Sequence, residues 1–158
     1  MGSGDWDSYV LVLRLSGVLR VEAGLVRAVL DPGVYFYIGS AKGPGGAWAR
    51  VIRHLSKVKR ARWHVDYLTA SPLARVEGFL LVKSVCKDFE VEASNAFSRL
   101  MSYVPRFGST DKQQSPSHLF KCGEETLEEC LVLAGALLEQ LGCVEDFLAV
   151  LCENSKAY

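Results

Sequence analysis

The segment Tyr9-Val-Leu-Val-Leu-Arg-Leu15 constrains the fold of this 158-residue chain more than any other. It is one strand long, rich in branched residues and apolar at both odd and even positions. Side chains of a strand alternate between two faces, so a strand apolar on both is expected to be covered on both. A similar run, Gly33-Val-Tyr-Phe-Tyr-Ile-Gly39, follows the turn signal Asp31-Pro32-Gly33. Between them, Val18 to Ala23 carries Arg20 and Glu22 and reads as an edge strand or hairpin partner. Residues 63–69 and 76–85 read as two more strands, separated by Ser71-Pro72.

Helical periodicity appears between these runs. Trp48, Val51, Ile52 and Leu55 fall at i, i+3, i+4 and i+7 and predict a helix over 47–58, with Arg50, Arg53, His54 and Lys57 on its outer surface. Glu90 to Val104 predicts another, with the stripe Ala93, Ala96, Phe97, Leu100, Met101 and Val104, and Pro105 ends it. Residues 105–121 read as a loop rich in Gly, Ser, Pro and Gln. Two amphipathic helices are expected at 124–140 and 143–153, broken at Gly142. This order is α+β, or mixed α/β, rather than a doubly wound sheet.

Composition sets the class. Hydrophobic residues make up 49% and charged residues 23%, as in ordinary globular proteins, and no run of 18 apolar residues exists to span a membrane. No charged-then-apolar leader opens the chain, so the expectation is a cytoplasmic protein; the opening Met-Gly-Ser-Gly is set aside from fold reasoning. Five cysteines without a C-x-x-C pair or zinc spacing are expected to be mostly reduced thiols. The net charge of zero conceals an asymmetry. Eight acids and one base follow residue 122, leaving seventeen bases and ten acids before it. The expected organisation is therefore a basic body, 1–122, and an acidic helical extension, 123–158, with the body facing nucleic acid. Leu127, Leu131, Leu133, Leu137, Leu138 and Leu141, with Phe147 and Leu151, are more apolar surface than two helices bury on each other. They would complete the core, form a homodimer interface or receive a protein partner. The extension is also a candidate to cover the basic face.

Three features carry chemistry. Gly43, Gly45 and Gly46 open the first helix and would either present backbone N–H groups to a phosphate or simply turn the chain. No Walker or dinucleotide pattern accompanies them. Arg50, Arg53, Lys57, Lys59, Arg60 and Arg62 place six positive charges in thirteen residues without an interleaved acid, with His54 and His64 beside them. Such a run reads as a phosphate-binding face or as a solvated helix face. Glu90 shares a helical face with Ala93 and Phe97 and is expected to point toward the body, whereas Glu92 lies on roughly the opposite side. An inward carboxylate there would favour the helix dipole or hold a hard divalent cation. His64 and Asp66, two apart on an expected strand, would share a face as an auxiliary acid–base or metal element, or as a structural pair.

The motif Tyr37-Ile38-Gly39-Ser40, a loop, and Arg50-x-x-x-His54 on a helix resemble the second half of the GIY-YIG nuclease superfamily. Its first motif, Gly-x-Tyr, is matched best by Tyr9, with Ser8 where glycine is usual; Gly33-Val34-Tyr35 spells the motif but would share one strand with Tyr37. Glu90 fits the superfamily's metal-binding glutamate, with Glu92 the rival. The blocks Trp63-His-x-Asp-Tyr-Leu68, Phe107-Gly-Ser109 and Ser117-His-Leu-Phe120 resemble a prokaryotic, largely archaeal branch, over roughly residues 8–121. Members of that branch often carry cysteines between the last two blocks, where this chain has Lys112 and Gln114.

The resemblance implies a small central, mainly antiparallel sheet flanked by helices, with a C-terminal helical extension. It implies a metal-dependent DNA endonuclease, structure- or lesion-specific and engaged in repair. Glu90 would hold Mg²⁺ or Mn²⁺, Arg50 would neutralise charge on the reacting phosphate, Tyr9 or Tyr37 would orient or deprotonate water, and His54 would move a proton or bond the phosphate. Lys42, Arg53, Lys57, Lys59, Arg60, Arg62 and His64 would contact DNA, with Asp66, Glu92 and His118 auxiliary. The competing expectation is a nucleic-acid-binding protein that uses the same fold without catalysis.

Overall fold

The computed structural model describes residues 6–152. The opening Met-Gly-Ser-Gly, and Glu153 and Lys156 of the acidic end, lie outside the described residues. The elements in chain order are β1 (Ser8–Leu15), β2 (Leu19–Ala23), β3 (Val26–Leu30), β4 (Gly33–Ser40), α1 (Gly46–Leu55), α2 (His64–Thr69), β5 (Ala74–Ser84), α3 (Phe89–Ser98), β6 (Ser102–Tyr103), β7 (Leu119–Lys121), α4 (Leu127–Gln140) and β8 (Val144–Leu151). The architecture is α+β. Six strands form one sheet in the order β6-β7-β4-β1-β5-β8, with every neighbouring pair antiparallel, while β2 and β3 form a separate hairpin.

The doubly apolar β1 does lie between two layers. Its odd residues Tyr9, Leu11, Leu13 and Leu15 pack with α1, α2 and the β2–β3 hairpin. Its even residues Val10 and Val12 pack with α3 and α4. β4 divides in the same way, with Tyr35 and Tyr37 on the first face and Val34, Phe36 and Ile38 on the second. Each fully buried Leu, Ile, Val or Phe of these strands contributes about 1.5–3 kcal/mol, so this two-sided burial is what holds the layers together.

Several sequence expectations are corrected. Residues 63–69 are not a strand: Asp66 accepts hydrogen bonds from the backbone N–H groups of Arg62 and Trp63 at 2.7 and 2.9 Å, which closes the first turn of α2. The expected helix at 143–153 is instead the strand β8, paired along β5 from Gly78↔Leu151 to Ser84↔Val144. Helix α3 ends at Ser98, and the Leu100 assigned to its buried stripe is 62% exposed. In α1 the buried positions are Ala47, Val51 and His54, while Ile52 and Leu55 face outward. The cysteines are not mostly reduced: Cys86–Cys143 and Cys122–Cys130 are disulfides, and Cys152 is free. The first joins the end of β5 to the entry of β8, which strand pairing makes adjacent although 57 residues separate them.

Helix α4 belongs to the core. Cys130, Ala134, Leu137 and Leu138 are buried against the same face as α3, with Leu127, Leu131, Leu133, Leu141 and Phe147 packed around them. This is the face of the sheet opposite α1, so α4 does not cover the basic helix. Among the described residues no helix is long and apolar enough to cross a membrane.

Candidate functional site

Strand register brings the first two site residues together. Tyr9 pairs with Gly39 and Leu11 with Tyr37, so the two tyrosines are diagonal neighbours on the α1 face of the sheet. Gly39 is required by close approach: a Cβ there would overlap the ring and hydroxyl of Tyr9. Tyr35 lies two residues farther along and donates its hydroxyl to the carbonyl of Asp31 at 2.7 Å, outside the cavity.

Both tyrosines line a cavity of about 440 Å³ at the end of the sheet where β1 starts and β4 finishes. Its wall also takes Ser40 from the end of β4, Lys42 from the loop after it, Arg50 from α1, Arg62, Trp63 and His64 at the start of α2, Glu90 from the first turn of α3, and Gly108, Thr110, Asp111, Lys112 and His118 from the 105–121 loop. Lys42, Arg50, Arg62 and Lys112 face two acids, Glu90 and Asp111, which makes the cavity basic. Glu92 is not part of it; its carboxylate lies 3.5 Å from Cys143 Sγ at the entry to β8.

Tyr9 Oη and His54 Nε2 are hydrogen-bonded at 2.9 Å, both buried. Burial raises the Tyr9 phenol well above its ordinary value, and the opposing pull of Arg50 does not offset it. Burial also drives His54 down to about 4, with Lys59 acting in the same direction. The resting pair is therefore a neutral phenol beside a neutral imidazole. Tyr37 is shifted upward by burial as well. Neither tyrosine rests as phenolate, so each can orient a water or a phosphate oxygen through its hydroxyl but is a poor base.

The other histidines differ from one another. His64 Nδ1 accepts the backbone N–H of Gly108 at 2.8 Å, which fixes its tautomer with the proton on Nε2 when neutral. Gly108 adopts a φ of 80°, and a Cβ there would press on Tyr37 and His118 at 3.1 Å. His118 is 1% exposed and neither ring nitrogen has a hydrogen-bond partner among the described residues. Its Nδ1 stands 3.6 Å from Glu90 Oε2, too far for a hydrogen bond, and burial lowers its affinity for a proton.

The expected DNA-contacting run separates into two sets. Arg50 and Arg62 place their guanidiniums 4.7 and 5.2 Å from the centre of the Trp63 ring on the cavity wall, and no carboxylate pairs with them, or with Lys42, among the described residues. Arg53 is tied to Asp66 at 2.8 Å and to the carbonyl of Arg60 at 2.9 Å. Lys57 donates to the carbonyls of Ser71 and Ala74. Lys59 donates to Thr69 Oγ1 at 2.7 Å and to the carbonyl of His54 at 3.2 Å. Arg60 is exposed. Asp66 is fully buried; burial alone would raise its carboxyl, but the Trp63 N–H, the Arg53 guanidinium and the Arg62 N–H together hold it below the usual range. It does not meet His64 as an acid–base pair. The glycines of the 43–46 turn are not on the cavity wall, and the N–H groups of Gly46 and Ala47 go to the carbonyls of Gly43 and Trp6, so this loop turns the chain.

Sequence reasoning missed the group that touches Glu90. Lys112 Nζ lies 2.6 Å from Glu90 Oε1 and 2.9 Å from Asp88 Oδ2, an ion triad at the cavity wall. Asp88 had a local signal, since it caps α3 by accepting from the Val91 N–H at 3.3 Å. Lys112 had none, being twenty-two residues from its partner. The Glu90 carboxylate is the kind of hard oxygen donor that suits a magnesium-type ion, which binds one or two carboxylates plus substrate phosphates, but here it is already paired with the Lys112 ammonium. The cluster Cys86, Glu92 and Cys143 does not fit an ion, because its two sulfurs are bonded to each other.

A family model described as "Domain of unknown function DUF123" matches residues 8–139, which takes in every residue of the cavity wall, and the chain belongs to that family. No curated protein and no solved structure matches it.

Proposed function

We propose that this member of the DUF123 family is a metal-dependent endonuclease that hydrolyses phosphodiester bonds of DNA, structure- or lesion-specific and acting in repair. The observation that supports the reading is the convergence of Tyr9, Tyr37, Arg50 and Glu90, from four elements, on one basic cavity. Fold resemblance alone would not carry it.

Glu90 would hold the divalent ion, whose chemistry when bound is Lewis-acid stabilisation of the leaving oxygen. The remaining work falls to the chain. Arg50, unpaired and braced against Trp63, offers a planar fork to the non-bridging oxygens, where negative charge grows in the transition state. Arg62 and Lys42 neutralise the flanking phosphates. Tyr9, on the cavity wall and with its hydroxyl held by His54, positions the attacking water against the phosphorus. Tyr37 supplies a second neutral donor from the same sheet face.

The Lys112–Glu90 pair favours a second reading, a nucleic-acid-binding protein without catalysis, because the carboxylate is already neutralised. A panel of labelled single strands, duplexes, flaps, branches and abasic duplexes, in DNA and RNA, separates the two. Incubation with Mg²⁺ or Mn²⁺ should yield metal-dependent cuts in a subset of the DNAs. Salt-sensitive binding of the whole panel with no cut under either ion would support the second reading and reject the first.

A further inference from the structure

We propose that Lys112 is the resident cation of the Asp88 and Glu90 carboxylates, and that a divalent ion reaches Glu90 only by displacing it. The inference rests on reading Glu90 as the cation ligand and adds how access to that ligand is controlled.

The ammonium of Lys112 bridges two carboxylates rather than pairing with one. Its Nζ contacts Glu90 Oε1 at 2.6 Å and both Asp88 oxygens, at 2.9 and 3.1 Å, so two carboxylates from the start of α3 face one positive centre. The third group at this centre is His118, buried, without a partner for either ring nitrogen, its Nδ1 3.6 Å from the other oxygen of Glu90. A divalent ion approaching Glu90 meets a positive charge bonded to the same carboxylate, and the two cannot share it without strong repulsion. With the ammonium withdrawn, Asp88 and Glu90 are left aimed at one position, and an incoming ion finds two carboxylates instead of one.

The chain presents this lysine deliberately. The loop that carries it is wrapped around Arg106, whose guanidinium donates to the carbonyls of Ser115 at 2.9 Å, Ser109 at 2.8 Å and Lys112 itself at 3.2 Å. The N–H of Lys112 bonds the Ser109 carbonyl at 3.0 Å, and its own carbonyl accepts from Ser115 at 3.1 Å. The backbone of residue 112 is thus fixed, and displacement requires only its side chain to swing. There is room for that swing: Lys112 stands in the wall between the main cavity and a second one of about 380 Å³ beside Ser84 and Phe89.

The experiment is a titration of the full chain with Mn²⁺ alone at pH 7, without nucleic acid, following the electron paramagnetic resonance signal of the free ion. Lys112→Met should bind Mn²⁺ at least tenfold more tightly than the unaltered protein. Lys112→Arg, which keeps a cation in place, should show no gain, and Glu90→Gln in the Lys112→Met background should abolish it. Should Lys112→Met fail to fold by circular dichroism, Lys112→Gln, which keeps hydrogen-bond donors near both acids, gives the same comparison. Equal Mn²⁺ affinity with and without the lysine overturns the proposal. So does a gain that survives Glu90→Gln, or no binding by any variant. No substrate is involved, so an absence of DNA cleavage would reject the nuclease reading and leave this titration to be judged by itself.

Discussion

Residues 50–62 form one uninterrupted basic run, yet its two halves of charge have opposite fates. Arg50 and Arg62 stand on the cavity wall against Trp63 with no carboxylate paired to them among the described residues. Arg53 also lies over Trp63, at 4.8 Å, but it is not on the cavity wall, and with Lys57 and Lys59 it spends its donors on Asp66, Thr69 and backbone carbonyls. The first set leaves its charge unpaired among the described residues. The second ties α1 to α2 and to the start of β5. Burial lowers the proton affinity of Lys57 and Lys59, as expected of ammonium groups used as internal cross-links. A run of positive residues is therefore not a patch of positive surface, and counting its charges overstates what it offers to a phosphate.

Variants that touch one set and spare the other sharpen this division. Asp66→Ala should have the largest effect on stability. It leaves the Arg53 guanidinium and two backbone N–H groups without their buried acceptor, a loss of about 3–5 kcal/mol, read from the urea midpoint. A loss below about 1 kcal/mol would mean that the inward set is not structural. Arg50→Ala should leave the urea midpoint in place and lower the cleavage rate on the order of 10²–10³. An effect confined to KM would make it a positioning residue only.

Buried His54 gives a pH signature. His54 titrates at about 4 in the folded chain and near 6.5 when unfolded, so the unfolded state takes up the proton first as pH falls. Stability should be whole above pH 6.5 and drop by about 3 kcal/mol down to pH 4. His118 and His64 are also shifted downward by burial and add to the same window. His54→Gln should flatten part of that slope, and an unchanged slope would contradict burial as the cause. The smallest effect is on salt dependence. Arg62→Ala should reduce the log–log salt slope of DNA affinity by about 0.9, one phosphate's worth, while Lys57→Ala should leave it unchanged. Equal changes in the two variants would erase the distinction.

Some of this was legible in the sequence for reasons that can be named. The apolar runs of β1 and β4 are long enough to fix strands, and two-sided burial follows from apolar residues at every position. Spacing already set Tyr35 on one strand with Tyr37, and register adds that Tyr9 is the diagonal neighbour of Tyr37 in the cavity. Glu90 could be placed on the inner face by helical phase, since Phe89, Ala93 and Phe97 anchor α3 below it.

The failures have equally local causes. Val144, Phe147, Leu148 and Leu151 sit at i, i+3, i+4 and i+7, which fits a helix; the ladder with β5 overrides that pattern and makes them an edge strand. In 63–69 alternation masked the one decisive residue, Asp66, whose carboxylate closes a helical turn from its third position. His54 was assigned to the outer surface with its charged neighbours because nothing nearby in the sequence announces Tyr9, forty-five residues away, as its partner. The disulfides and the Lys112 triad depend on contacts between distant segments in the same way.

The account depends on the carboxylate of Glu90 as the group that makes the cavity a cutting site, and one measurement reaches it directly. Single-turnover cleavage of the preferred DNA with Mn²⁺ would be compared for the unaltered protein, Glu90→Gln and Glu92→Gln, with DNA affinity measured in parallel. Glu90→Gln should abolish cleavage with affinity nearly intact, and Glu92→Gln, outside the cavity, should cut as the unaltered protein does. Full cleavage by Glu90→Gln, or loss only in Glu92→Gln, would contradict the assignment.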